Sequence, residues 1–308
     1  MVTKKILATS ACLLTGLSFA TSSNAALSFD VTFNDPGSVY SSYYSSIQNN
    51  IIAAGNQWAS YFDTSSVSTV LTVSVGFESI PTANGGSATT SFYNTQGGIF
   101  TYEQGAAYEL RTGIDPNGSA ADINFNIGIN GYLQSELWFD PTPSNLLDDT
   151  VPLNQTDARS VFLHEFGHAI GFNGWRDGTT GLLPGNYQST FDAFTTLVNT
   201  PQGDTLFFTG PQAQAVYGGL VPLSFGNYGH VGNGDGRAGA SLVSDLMNGV
   251  VFFRGTRYEV SALDLAILRD IGLPVNNGPS VVPEPSTYAL MFGGLGLMAW
   301  VTRRRRVS

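Results

Sequence analysis

The chain has 308 residues, 42% of them hydrophobic and 12% charged, with 36 glycines, one cysteine and a formal net charge of −10. Its length allows one large packed domain or a two-lobed one. Its acidity excludes nucleic acid and argues against anionic membrane as a partner, since both attract basic surfaces. The imbalance is sharper between the ends than overall, because Lys4, Lys5 and the four arginines at 303–306 account for much of the positive charge.

Residues 1–25 read as an export signal: Lys4 and Lys5, an apolar stretch over 6–19, and the small-x-small site Ser23-Asn24-Ala25. Cleavage after Ala25 removes Cys12, the sole cysteine, so the domain expected over 26–275 has no disulfide, thiolate ligand or catalytic thiol. It must rely on its hydrophobic core and any bound ions. Alternation predicts a strand over 27–33. Ile47, Ile51, Ala54, Trp58 and Phe62 at helical spacing predict a long helix over 40–62. A β-branched strand follows at 70–77. Residues 91–102 contain a turn or bulge at Gly97-Gly98. Ile123, Phe125, Ile127 and Ile129 alternate in a strand over 121–129, and a short strand over 137–140 is closed by Pro141.

Thr156-Asp157 is a helix N-cap, followed by Ala158, Val161, Phe162, Phe166, Ala169 and Ile170 at helical spacing, with Gly171 as the stop, free to adopt positive φ. Residues 187–198 suggest a short helix, and 206–210 a strand ending in a turn. A flexible loop spans 232–236. Ser261 and Asp264 form a capping arrangement for a last helix with Leu263, Ile267, Leu268 and Ile271 as its buried face; Gly272 is its stop and Pro274 prevents continuation. Strands, backing helices and a motif-bearing helix imply an α+β fold with a mixed sheet.

The chain has three histidines, and two lie in His164-Glu165-Phe166-Gly167-His168. In H-E-x-x-H, ligands at i and i+4 leave one helix face toward a single metal ion, and the glutamate reaches the open position as general base. An isolated buried His is usually a satisfied core residue, but a capped amphipathic helix carrying both is what a zinc site requires. His230 is the natural third ligand. Asp177, just past the helix, competes for that place, whereas no Glu occurs between Glu165 and Glu259 to serve. Asp235 and Asp245 are candidate Ca2+ ligands, although their loop lacks a full set.

After a polar linker at 276–282, residues 283–308 carry Pro283-Glu284-Pro285, an apolar segment at 288–301 and the terminal arginines. The apolar run is shorter than the roughly twenty residues a spanning helix needs. This tail resembles the PEP-CTERM sorting signal of Gram-negative bacteria. The resemblance implies export across the inner membrane, transient anchoring there, release by an exosortase-type enzyme, and a final place at the cell surface or in the extracellular matrix. A plain C-terminal anchor is the alternative.

The run from His164 to Phe172 resembles the active-site helix of the metzincin zinc metalloproteases. Most of that clan place a third ligand three residues past the glycine; here that residue is Gly174, which cannot bind metal. The leishmanolysin-like branch inserts a long segment before its third His, and this chain looks like that branch. The resemblance implies a metzincin-like sheet backed by helices, an active-site helix, and a C-terminal lobe with a Met-turn at Met247 and a closing helix from Ser261 to Gly272. It implies Zn2+ held by His164, His168 and His230, with Glu165 as general base in peptide-bond hydrolysis of a protein or peptide substrate. Substrate is expected along a sheet-edge strand at 121–129. Tyr258 is spaced wrongly from Met247 for an oxyanion role, so packing is expected of it. The alternative from another class is a non-catalytic surface or biofilm-matrix protein that keeps the fold.

Overall fold

The computed structural model describes residues 27–276, apart from 65–66, 146–149 and 235. The expected export signal, all but the first residue of the linker, the sorting tail and Asp235 lie outside the described residues. Strand β1 (Leu27–Asn34) buries Leu27 and Val31, and helix α1 (Tyr44–Ala59) buries the predicted Ile47, Ile51, Ala54 and Trp58. The helix is shorter than 40–62. Ser41–Tyr43 tighten into a 3₁₀ turn at its start, and Phe62 leaves it to bridge Val275. Strands β2 (Thr69–Glu78) and β3 (Ala83–Ser87) follow, then a hairpin of β4 (Thr90–Gln96) and β5 (Ile99–Gln104). Gly97 and Gly98 turn it with φ of 59° and 83°, as a tight two-residue loop demands.

Helix α2 (Gly105–Thr112) stops at left-handed Gly113, and β6 (Ile123–Gly128) buries Ile123, Phe125 and Ile127. The short strands β7 (Leu137–Trp138) and β8 (Thr156–Asp157) pair with each other and lead into α3 (Ala158–Ile170). Beyond it come β9 (Tyr187–Ser189), β10 (Thr195–Thr200), β11 (Gly203–Phe208), α4 (Pro211–Tyr217), β12 (Val221–Pro222) and α5 (Ala262–Asp270). The fold is therefore mixed α+β.

The main sheet has the order β1-β2-β6-β3, with β1, β2 and β6 parallel and β3 antiparallel at one edge. Helices α1 and α3 pack together and against this sheet, where Phe29, Phe125 and Phe166 meet edge to face. Trp58 of α1 donates its indole N–H to the Leu163 carbonyl of α3 at 2.8 Å. Of two further sheets, β4-β5-β9 joins the hairpin before α2 to a strand after α3, and β10-β11-β12 belongs to the later chain. One buried apolar cluster runs from Leu27 to Leu273 and joins the main sheet, the helices and the β10-β11-β12 sheet.

Two expectations are corrected. The stretch at 121–129 is not an edge strand, because β6 is hydrogen-bonded on both sides, to β2 and to β3. Residues 187–198 do not form one helix; only a 3₁₀ turn at Asp192–Phe194 is helical, between β9 and β10. The Asp192 carboxylate accepts from Ser189 N and Trp175 N, forcing a turn, and β-branched Thr195, Thr196 and Val198 then pair with β11.

Candidate metal centre

Helix α3 starts where expected: Asp157 accepts from Ser160 N at 3.2 Å and from Ser160 Oγ at 2.6 Å. Arg257, its side chain 3% exposed, reaches both Asp157 (3.1 Å) and Asp140 (2.7 Å), so the cap carboxylate is neutralised where water cannot reach it. Arg159, fully buried on the same helix, pairs with Glu259 and hydrogen-bonds Gln57 of α1. At the other end Gly171 has φ 163°, which is extended backbone and not the expected left-handed cap. Glycine is needed there for space: a Cβ would collide with Ile271 and Leu268 at the end of α5.

The helix brings His164 and His168 to one face, and the chain after β12 returns His230 to them. Their Nε2 atoms form a triangle with sides of 3.0, 3.0 and 3.1 Å. His164 Nδ1 donates to the Leu246 carbonyl at 2.7 Å, and His168 Nδ1 donates to the Phe172 carbonyl at 2.6 Å. A carbonyl only accepts, so both Nδ1 atoms carry the proton and both Nε2 lone pairs are bare. The three rings are partly open to a cleft yet deep enough that burial lowers their affinity for a second proton. Burial and then neighbouring His168 push His164 down to about 3, and burial comes first for His168 and His230 as well.

A proton on His230 Nε2 could serve one neighbour well; a cation serves all three nitrogens. A tetrahedral ion with bonds of about 2.0–2.1 Å spaces its ligands by about 3.3–3.4 Å, within a few tenths of an ångström of the triangle. Three neutral imidazoles also suit zinc chemically. The residues fit the ion.

Backbone beyond the helix supports the cluster. Val231 N donates to Met247 O at 2.9 Å and Gly249 N to Val231 O at 3.1 Å, stitching the His230 segment to the turn at Met247. That turn also supplies the Leu246 carbonyl that orients His164. Met247 is fully buried, and its thioether occupies the space a Cβ at Gly167 would fill, which explains the small residue inside the motif.

Glu165 is 7% exposed and lines the same cleft, of about 540 Å³, as the three histidines. Burial pushes its carboxyl up to about 8, partly offset by a hydrogen bond from the Gly85 backbone. Gly85 lies on edge strand β3, where a side chain would strike Phe125 and Glu165. Thr82, Ala83 and Asn84 line the cleft beside it, with Tyr132, Phe172, Val250 and Phe252 on the other walls. Sequence reading missed β3 because Ala83-Asn84-Gly85-Gly86-Ser87 has neither alternation nor β-branching. Its one signal was the glycine pair, which in a strand marks close backbone approach.

Asp177 is not part of the histidine cluster. Its Oδ1 accepts from Thr179 N, Thr180 N and Thr180 Oγ1 in an exposed turn. Asp245 accepts from Met247 N through Oδ1 and from Ser261 Oγ through Oδ2, so its carboxylate holds the turn to α5. Tyr258 packs as expected, stacked on Phe252 at 4.1 Å, with its hydroxyl accepting from Phe253 N. The capping box of Ser261 and Asp264 is present in full, and Gly272 stops α5 at φ 99°.

Residues 281–306 match the PEP-CTERM protein-sorting motif. That motif implies export and surface sorting in Gram-negative bacteria, and exosortase-type sorting enzymes recognise it. No curated protein and no solved structure matches the chain. Among the described residues, no helix is long and apolar enough to cross a membrane.

Proposed function

We propose that the chain is a zinc-dependent endopeptidase of metzincin type, resembling the leishmanolysin-like branch, exported and sorted by its C-terminal tail. The observation that carries this reading is the triangle of Nε2 atoms beside a buried glutamate in one open cleft. A purely structural zinc site is closed and has no use for a base. His164, His168 and His230 would hold the ion through Nε2, with Nδ1 protons on the Leu246 and Phe172 carbonyls fixing the first two rings. Bound zinc supplies Lewis acidity, which acidifies water and polarises a carbonyl.

The chain's own groups do the rest. A cation held beside it would favour the carboxylate form of Glu165 over the raised, protonated one, and that carboxylate takes a proton from the attacking water and returns it to the leaving amine. The outer edge of β3, which pairs with no further strand among the described residues, offers backbone groups over Thr82 to Asn84 to an extended peptide, which adds as a further strand beside Glu165. This strand replaces the 121–129 stretch as the substrate-binding edge. Apolar walls at Phe172, Val250 and Phe252 accept a side chain from that peptide. The tail anchors the chain transiently in the inner membrane until an exosortase-type enzyme releases it.

The test is casein or gelatin hydrolysis by the full chain, with and without a zinc chelator. Hydrolysis abolished by chelation and restored by about one equivalent of Zn2+ supports the reading. Folded, zinc-loaded protein that cleaves neither substrate favours the alternative of a non-catalytic surface protein.

A further inference from the structure

A second cluster lies away from the histidines, where α2, the loop after it and the start of β6 come together. One carboxylate oxygen from each of Glu109, Asp115 and Asp122 lies within 4.8 Å of the others. Glu109 and Asp122 are 4% and 3% exposed. Each uses one oxygen for the fold. Glu109 Oε1 accepts from Thr69 Oγ1, and Asp122 Oδ2 accepts from Thr72 N at 2.7 Å and Thr72 Oγ1 at 2.8 Å. The second oxygen of each, Oε2 and Oδ1, is buried with no partner. Arg111, the cation on α2, is taken up by Glu103. Two buried carboxylates with free oxygens and an exposed third carboxylate beside them need a cation or a shared proton, and no side chain of the cluster supplies a cation.

We propose that Glu109, Asp115 and Asp122 bind a calcium ion, which ties the 113–122 loop to α2 and to strands β2 and β6. Oxygens on opposite sides of Ca2+ are about 5 Å apart, so the separations fit one ion. Magnesium prefers one or two carboxylates and several waters, whereas three carboxylates suit calcium. Asp115 supplies the entry: it is exposed, and its Oδ1 accepts from Asn117 N and Gly118 N, which fixes the loop in a turn. Asn117 Oδ1 is a further buried oxygen of that loop without a partner.

Burial, and then the nearby Asp122 charge, push the Glu109 carboxyl up to about 7, partly offset by the Thr69 hydroxyl. The competing arrangement is therefore a proton shared between Glu109 and Asp122, which would make the cluster indifferent to calcium. The site stands apart from the histidines and does not depend on their reading.

The test is thermal unfolding and isothermal titration of the full, zinc-loaded chain, dialysed free of calcium and titrated with CaCl2. One site is expected, with Kd on the order of 10⁻⁴–10⁻³ M as for extracellular calcium modules. At ten times that Kd, Tm should rise by about 3–6 °C. Asp122→Asn should abolish the rise. Asp115→Asn keeps the turn-forming oxygen at an exposed position, so it should fold as the parent does and lose most of the response. A Tm indifferent to about 10 mM Ca2+, or a full response in both variants, overturns the proposal.

Discussion

His230 is the residue on which the metal reading turns, because no local geometry ties it to His164 and His168. Long-range hydrogen bonds do so instead: Val231 pairs through its backbone with Met247 and Gly249, and the His164 ring donates to the Leu246 carbonyl. Replacing His230 by Ala removes one of three ligands, and zinc affinity should fall by more than the ~10–100-fold typical of outer-shell changes. Asp177→Ala should leave affinity unchanged, since that carboxylate is spent on Thr179 and Thr180. Equilibrium dialysis with 65Zn distinguishes the two. Zinc kept by His230→Ala and lost by Asp177→Ala would reverse the assignment. His164, Glu165 and His168 were legible from spacing alone, and His230 by scarcity of histidine. Gly85 was not, since its need for space arises from Phe125 and Glu165 across the sheet.

At the scale of elements, α3 is held by buried charge as well as by apolar packing. Arg257 bridges Asp157, the α3 cap, and Asp140, with all three side chains at 3% exposure or less. Removing only the cation leaves two buried carboxylates uncompensated, so Arg257→Ala should cost about 3–5 kcal/mol in urea unfolding. A loss under ~1 kcal/mol would mean that water reaches those carboxylates. Elements with strong period were readable: α1, α3 and α5 through their buried stripes, β2 and β6 through β-branched alternation. Those set by tertiary contact were not. Strand β3 is glycine-rich, and α2 and α4 are short, although Pro211 at the start of α4 and Gly218 at its end are the signals that mark such a helix. The helix expected at 187–198 gives way to a turn because one carboxylate, Asp192, accepts the backbone amides of Ser189 and of distant Trp175.

At the scale of the whole molecule, the parts converge on one cleft. The sheet presents an antiparallel edge strand, α3 presents two ring nitrogens and a carboxylate, and the segments after β12 return the third ring and floor it with Met247. The domain does this without a disulfide-forming pair, since the chain has one cysteine. The sorting motif at 281–306 implies export and surface sorting of this domain.

The most direct test of the central claim is one paired measurement on Glu165→Gln: zinc content and peptidase rate. Gln keeps the size and hydrogen bonding of the side chain but cannot accept a proton, so zinc should stay near one per chain while hydrolysis falls by about 10²–10⁴-fold or more. Hydrolysis at the parent rate, or zinc lost together with activity, would contradict Glu165 as the base and with it the account of the cleft as a peptidase site.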